Sequence, residues 1–85
     1  MEYLGLPAVS LAGHDKGTLL CVVGMEGERL LLADGRRRKV LNPKRKQFKH
    51  IVFIEATAHS GPWTNKSIRK YLSGVQELVC QVTTK

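Results

Sequence analysis

Basic side chains are concentrated in residues 36–50, which read RRRKVLNPKRKQFKH and contain no acidic residue. Lysine and arginine bind phosphate and carboxylate groups, and the planar arginine guanidinium can hold a phosphate through two hydrogen bonds. The segment therefore predicts a binding site for a polyanion. Its eight basic residues are Arg36, Arg37, Arg38, Lys39, Lys44, Arg45, Lys46 and Lys49.

The rest of the chain is almost electrically neutral. The 85 residues include 14 Lys and Arg against 7 Asp and Glu, a net charge of +7, of which this segment contributes +8 and the rest of the chain −1. A basic run is often only a solvated face, and a short one also serves as a nuclear address or a heparin patch. Because like charges this dense repel one another and do not stabilise a fold, a partner is the better explanation. Nucleic acid is favoured over a membrane surface, since no basic amphipathic helix with a bulky apolar face is evident.

Other kinds of chemistry have weaker support in the sequence. The spacing of His14, His50, His59, Cys21 and Cys80 is not typical of a zinc site, so we expect no metal. No Ser-His-Asp, Cys-His or paired-carboxylate arrangement stands out, and a chain this short has little room for a substrate pocket. We therefore expect no enzyme, no cofactor and no small-molecule substrate. Two cysteines form no disulfide framework, which favours a reducing cytoplasm.

Aromatic residues are few, so readout of the base sequence by stacking is not expected to dominate. Phe53 is expected in the core, and Tyr71 on a packed helical face. Phe48 lies between Gln47 and Lys49, within the basic segment. Two roles stay open for Phe48, namely stacking on a base and packing in the core.

The elements that position these side chains are predicted to be short strands separated by turns, which makes the protein mainly β. Asp34-Gly35 predicts a tight hairpin turn, and residues 44–49 are interpreted as a basic connector. In a strand, Arg36 and Arg38 would point to one face and Arg37 and Lys39 to the other. Pro7 lacks a backbone donor, which predicts that its strand starts at a sheet edge. The predicted strands are residues 6–11, 18–23, 29–33, 37–41 and 50–55, with turns at residues 12–17 and 25–28 and a stop at Gly24.

A helix is predicted after this set of strands. Residues 60–62 read as a linker, and Thr64 or Asn65 can cap a helix that begins near Lys66. Gly74 is expected to shorten that helix or to mark its C-terminus, and the conformation of residues 76–85 stays undecided. Its apolar face would contain Ile68, Tyr71, Leu72 and Val75. We therefore expect a barrel over residues 1–60 and a linker, short helix and tail over residues 61–85. No membrane span or secretory signal is expected.

Three segments together resemble a known family. Residues 9–24, VSLAGHDKGTLLCVVG, resemble the KOW motif, a strand, a glycine-bearing loop and a second strand. Residues 33–51, ADGRRRKVLNPKRKQFKHI, and residues 64–72, TNKSIRKYL, resemble bacterial KOW-domain RNA-binding proteins. Those proteins are similar to archaeal and eukaryotic large-subunit ribosomal proteins of the fourteen-e type. The resemblance covers roughly residues 5–72.

The resemblance implies a small SH3-like barrel of about five strands that binds structured RNA, and ribosomal RNA in particular. It also implies a cytoplasmic role in translation, as a ribosome-associated or ribosome-assembly protein that contacts the large ribosomal subunit. In KOW proteins the glycine-bearing loop approaches the RNA backbone, which here brings Lys16, with His14 beside it, near phosphate. The expected RNA-binding residues are Lys16, Arg36, Arg37, Arg38, Lys39, Lys44, Arg45, Lys46, Lys49 and His50.

Recognition is expected to depend on RNA shape and on contacts with the phosphate backbone, with Arg36, Arg38, Lys44, Arg45 and Lys46 as the leading candidates. Each such contact displaces a condensed counterion, so the affinity should fall steeply with salt. The alternative function is a protein-interaction barrel that recruits an acidic partner in transcription or translation. The scarcity of aromatic residues argues against a groove for proline-rich peptides.

Overall fold

Five short strands and one C-terminal helix make up the fold, which is mainly β as predicted. The computed structural model describes residues 2–83, with the side chains of residues 2–78. The elements are β1 Pro7–Ser10, β2 Leu19–Glu26, β3 Arg29–Ala33, β4 Lys44–Gln47, β5 Ile51–Phe53 and α1 Asn65–Thr83, with 3-10 turns at Gly13–Asp15 and Phe48–His50. Among the described residues, no helix is long and apolar enough to cross a membrane.

The strands form one antiparallel sheet in the order β4-β3-β2-β1-β5. The first and last strands are neighbours, because Ala8 pairs with Phe53 and Ser10 with Ile51. This order, with a 3-10 turn between β4 and β5, is compatible with the small SH3-like barrel that was expected. The prediction of an edge at Pro7 was wrong, since β1 lies between β2 and β5. Pro7 is tolerated there because it occupies the first position of the strand.

Strand β2 is buried on both of its faces. Leu20 and Val22 face the barrel interior, where they pack with Ala8, Leu30, Leu32 and Ile51. Cys21 faces the other way and packs under α1 against Ile68 and Leu72. The predicted stop at Gly24 was wrong, because β2 continues through a bulge between Val22 and Gly24 as far as Glu26. The turn that follows is therefore shorter than the predicted residues 25–28.

The prediction for residues 34–49 was wrong in its elements. Residues 37–41 are not a strand, and the predicted connector contains β4 and the second 3-10 turn. The Asp34 carboxylate accepts hydrogen bonds from the backbone N–H groups of Arg36 (2.8 Å) and Arg38 (2.9 Å). These local bonds close a compact loop where Asp34-Gly35 would otherwise have made a hairpin. The expected alternation of residues 36–39 between two faces is lost with the strand.

Helix α1 lies over the sheet with the predicted apolar face. Ile68, Leu72 and Val75 are buried, and Tyr71 is half-buried. The Thr64 hydroxyl accepts a hydrogen bond from the Ser67 N–H at 3.2 Å, which caps the first turn. Gly74 does not end the helix, because the buried side chain of Val75 beyond it continues the packing. The helix extends to Thr83, so most of the tail, whose conformation the sequence left undecided, is helical.

Candidate nucleic-acid interface

Residues 34–43, here called the basic loop, are folded by their own backbone. The N–H groups of Asp34 and Gly35 donate to the Arg38 carbonyl at 3.0 and 3.1 Å. Together with the two bonds accepted by the Asp34 carboxylate, they close the loop at its start. Further along, the Asn42 N–H donates to the Lys39 carbonyl at 3.0 Å and closes a turn. The only acid of the loop is therefore turned toward its own backbone.

Helix α1 holds the basic loop from one side. The Asn65 side-chain oxygen accepts a hydrogen bond from the Val40 N–H at 2.8 Å, and Arg69 donates to the Gly35 carbonyl at 2.9 Å. Gly35 is buried with φ +79°, and a Cβ at this position would meet the Asn65 carbonyl oxygen. Only glycine combines that left-handed backbone with so close an approach. The loop is therefore seated on the first turns of α1.

The loop between β1 and β2 holds the basic loop from the other side. Arg38 forms an ion pair with Asp15, with a distance of 3.4 Å between Nη2 and Oδ2. Asp15 is only 6% exposed, so its carboxylate depends on this partner for compensation. The pair brings Lys16, which follows Asp15 and is exposed, close to the basic loop.

Three of the expected RNA-binding side chains are exposed on the basic loop. Arg36, Arg37 and Lys39 all face solvent, and none of them has an ion-pair partner within residues 2–78. Their charged groups are therefore accessible to an external anion. Cations that have no internal partner and that project from a tethered loop can bind phosphate without first breaking a protein contact.

Lys44 and Lys46 lie in strand β4, where a connector was predicted. In β4, Lys44 pairs with Leu32 and Lys46 pairs with Leu30. Both leucines point into the barrel, so the aliphatic stems of the two lysines lie on the inner face of the sheet. Lys46 is only 9% exposed, and its ammonium donates to the Ala12 carbonyl at 2.9 Å. That contact joins β4 to the β1–β2 loop, and Lys46 has a structural role.

Arg45 and Lys49 lie toward the β2–β3 hairpin. Arg45 Nε donates to Glu26 Oε1 at 2.6 Å, and this hydrogen bond and the charge of Arg45 lower the pKa of the Glu26 carboxyl. Lys49 lines an open groove together with Glu26 and Glu28. The ten expected residues are therefore not brought into one site, because Arg45 is paired with Glu26 and Lys49 lies in the groove beside the β2–β3 hairpin, away from the basic loop.

Phe48 packs against the aromatic residues of the core. Its ring is half-buried and contacts Tyr3 edge-on at 4.9 Å between ring centroids, with Phe53 at 6.3 Å. Packing in the core is therefore its role in the free protein. His50 is half-buried beside it, and its carbonyl accepts a hydrogen bond from the Leu11 N–H at 2.8 Å.

The histidines and the described cysteine are dispersed. Within residues 2–78, no group of three or more His, Cys, Asp and Glu side chains could hold a metal ion. His14 is exposed, and His59 contacts the Pro62 carbonyl at 2.8 Å. Cys21 is fully buried, and burial raises the pKa of its thiol to about 12. The Cys80 side chain lies outside the described residues.

Sequence reasoning missed the residues that hold the basic loop in place. Asp15 was placed only within the predicted turn at residues 12–17, and Asn65 was assigned only a capping role. No role was predicted for Arg69, because its hydrogen-bond partner Gly35 is 34 positions away in the chain. No local pattern could have identified such long-range contacts.

Comparison with models of known protein families gives no match, and neither does comparison with curated protein sequences.

Proposed function

We propose that this protein binds structured RNA, and ribosomal RNA in particular, through phosphate-backbone contacts made by the basic loop. The observation that supports this most strongly is the exposure of Arg36, Arg37 and Lys39 without ion-pair partners among the described residues. The protein acts by binding, in the ribosome or in its assembly, and carries out no catalysis.

The tethering of the loop is the second line of support. The contacts of Gly35, Val40 and Arg38 fix the loop at both of its sides before any ligand arrives. Binding then costs less conformational entropy than it would for a flexible basic tail. Lys16 is exposed and directly follows Asp15, so in this proposal the β1–β2 loop and the basic loop follow one phosphate track.

Arg38 and Lys46 support the interface in a different way. Arg38 compensates the negative charge of Asp15, and Lys46 donates a hydrogen bond to the Ala12 carbonyl. Both side chains therefore position the β1–β2 loop. Arg45 is paired with Glu26 and is placed outside the proposed contact surface. The direct contacts in this proposal are therefore Arg36, Arg37, Lys39 and Lys16.

The binding proposal is tested with a fluorescently labelled hairpin from ribosomal RNA, titrated at several potassium chloride concentrations. Each phosphate contact contributes about 0.7–0.9 to the slope of log K against log salt, so four contacts predict a slope of about −3. A heparin fragment of equal charge serves as the competitor. Binding that does not depend on salt, or equal displacement by heparin, would contradict recognition of structured RNA.

The ribosomal part is tested separately by sucrose-gradient sedimentation of a native lysate at low and high salt. Co-migration of the tagged protein with the large ribosomal subunit, lost as salt rises, is the expected result. Protein that stays in the top fractions at low salt would contradict the ribosome assignment and favour an acidic protein partner or another RNA.

A further inference from the structure

Leu41 is the most exposed large hydrophobic residue among those described. Its exposed fraction is 96%, whereas the other exposed large hydrophobics, Leu4, Leu11, Met25, Val52 and Leu78, range from 38% to 56%. It belongs to the basic loop, two residues after Lys39. A fully solvated leucine at this position stabilises nothing in the free protein.

The turn that carries Leu41 is held in place. The Asn42 N–H donates to the Lys39 carbonyl at 3.0 Å, and Leu41 occupies the third position of the turn that this bond closes. The preceding residue, Val40, packs beside Ile68 and Leu72, and its N–H is bound by Asn65 at 2.8 Å. Val40 is fixed inward, and Leu41, the next residue, is directed to solvent.

The surroundings of Leu41 indicate the kind of partner that covers it. Arg36, Arg37 and Lys39 are exposed on the same loop, and its one acid, Asp34, is engaged with backbone N–H groups. An apolar side chain among cations fits a polyanion that also offers apolar faces. RNA has that chemistry where a base is unpaired, because phosphates flank an exposed aromatic ring. A lipid surface fits less well, since the exposed part of the loop offers one bulky apolar side chain.

We propose that Leu41 packs on the face of an unpaired base, so that the protein prefers RNA containing a bulge or loop to a continuous duplex. This inference rests on the proposed function and specifies its substrate class. The cations supply affinity for any RNA backbone, and Leu41 supplies the preference for a base that is free to leave the stack.

The test compares two RNA hairpins that differ by a single bulged 2-aminopurine, a fluorescent base that reports loss of stacking. The wild-type protein is expected to bind the bulged hairpin about tenfold more tightly than the continuous one, as burial of a leucine side chain implies. Leu41→Ser should reduce this ratio to about one while the affinity for the continuous hairpin and its salt slope stay unchanged. The 2-aminopurine fluorescence change on binding should be lost in the same variant.

Two further variants complete the experiment. Val52→Ser removes an apolar side chain that is 49% exposed on β5 and should leave the ratio unchanged. Leu41→Met keeps an apolar side chain of similar size and should preserve the preference. Since Leu41 makes no core contact, its variants should unfold at the wild-type temperature.

The outcomes that overturn the inference differ from those that overturn the proposed function. Salt-dependent RNA binding with an equal affinity for both hairpins, or with a preference that survives Leu41→Ser, refutes the role of Leu41 alone. If Leu41→Ser abolishes binding to anionic phospholipid vesicles but keeps the preference for the bulged hairpin, Leu41 contacts a membrane. That result also refutes its packing on a base. Absence of salt-dependent binding to either hairpin refutes the proposed function and this inference together.

Discussion

Arg38 and Asp15 are 23 positions apart in the chain and form an ion pair of 3.4 Å that joins the basic loop to the β1–β2 loop. The carboxylate is almost fully buried, and the guanidinium is about one-third exposed, with side-chain exposures of 8% and 32%. Arg38, which was expected to contact RNA, therefore positions the loop to which the contacts are assigned in the proposal. The positive charge that is available to a ligand lies on Arg36, Arg37 and Lys39.

This pair should be measurable by a double-mutant cycle. We expect Asp15→Asn and Arg38→Gln each to lower the free energy of unfolding, with a coupling energy of about 0.5–1 kcal/mol between them. Urea unfolding of the four proteins gives the coupling. A coupling energy of zero would show that the pair does not hold the two loops together.

Gly35 should be far less tolerant of a side chain than Gly17. Both have a positive φ, +79° and +85°, but a Cβ at Gly17 meets nothing, whereas one at Gly35 would lie 2.8 Å from Arg69 Cγ and closer still to the Asn65 carbonyl. Gly17→Ala should cost about 1–2 kcal/mol, for the backbone conformation alone. Gly35→Ala should cost about 1–3 kcal/mol more, because the loop must move off the helix.

Thermal unfolding of these two variants separates the two effects. Equal losses of stability would mean that the contact between the basic loop and α1 contributes nothing.

Asn65 should stabilise the basic loop through its side-chain oxygen. Asn65→Ala leaves the Val40 N–H without its acceptor and should lower the free energy of unfolding by about 1–2 kcal/mol. Asn65→Asp keeps an oxygen at the same place, and its negative charge lies favourably at a helix start, so it should stay close to wild type. Equal destabilisation by both variants would contradict the assigned hydrogen bond.

The sequence predicted the general architecture better than the site. A short apolar run between two turns identified β3, and the periodic spacing of Ile68, Tyr71, Leu72 and Val75 identified the buried face of α1, because both patterns can be read locally. The predicted strand over residues 37–41 failed because the Asp34 carboxylate binds two backbone N–H groups. The role of Lys46 was also hidden, since its ammonium reaches a carbonyl 34 positions away. The basic segment could be found from sequence, but which of its cations stay free depends on such distant partners.

The Cys21 thiol should be unreactive in the folded protein. Burial raises its pKa from the ordinary 9.0 to about 12, and alkylating reagents attack the thiolate. In a Cys80→Ser background, iodoacetamide at pH 8 should modify the native protein much more slowly than the urea-unfolded protein. Rapid modification of the native protein would contradict the burial of Cys21 under α1.

The raised pKa of the Cys21 thiol makes the free energy of unfolding depend on pH. The folded state keeps the thiol proton up to a pH of about 12, whereas the unfolded state loses it near 9.0. Above a pH of about 9 the unfolded state therefore binds fewer protons, and the contribution of Cys21 to stability falls as the pH rises toward 12. Cys21→Ala should flatten this part of the stability profile relative to its Cys21 parent, and an unchanged profile would contradict the assignment.

The most direct test of the RNA-binding surface compares two triple variants with the same change in net charge. One removes the free cations of the basic loop, Arg36→Gln, Arg37→Gln and Lys39→Gln. The other removes three cations near the β2–β3 hairpin, Arg29→Gln, Arg45→Gln and Lys49→Gln. RNA affinity is measured for both against a salt series, after circular dichroism has shown that each variant is folded.

If the basic loop contacts the phosphates, the first variant should reduce the salt slope by about 2–3 and the affinity by at least about 100-fold, and the second should have a much smaller effect. Equal losses in the two variants would show that binding follows net charge alone, and a larger loss in the second would place the RNA at the hairpin. Either result would contradict the basic loop as the RNA-binding surface.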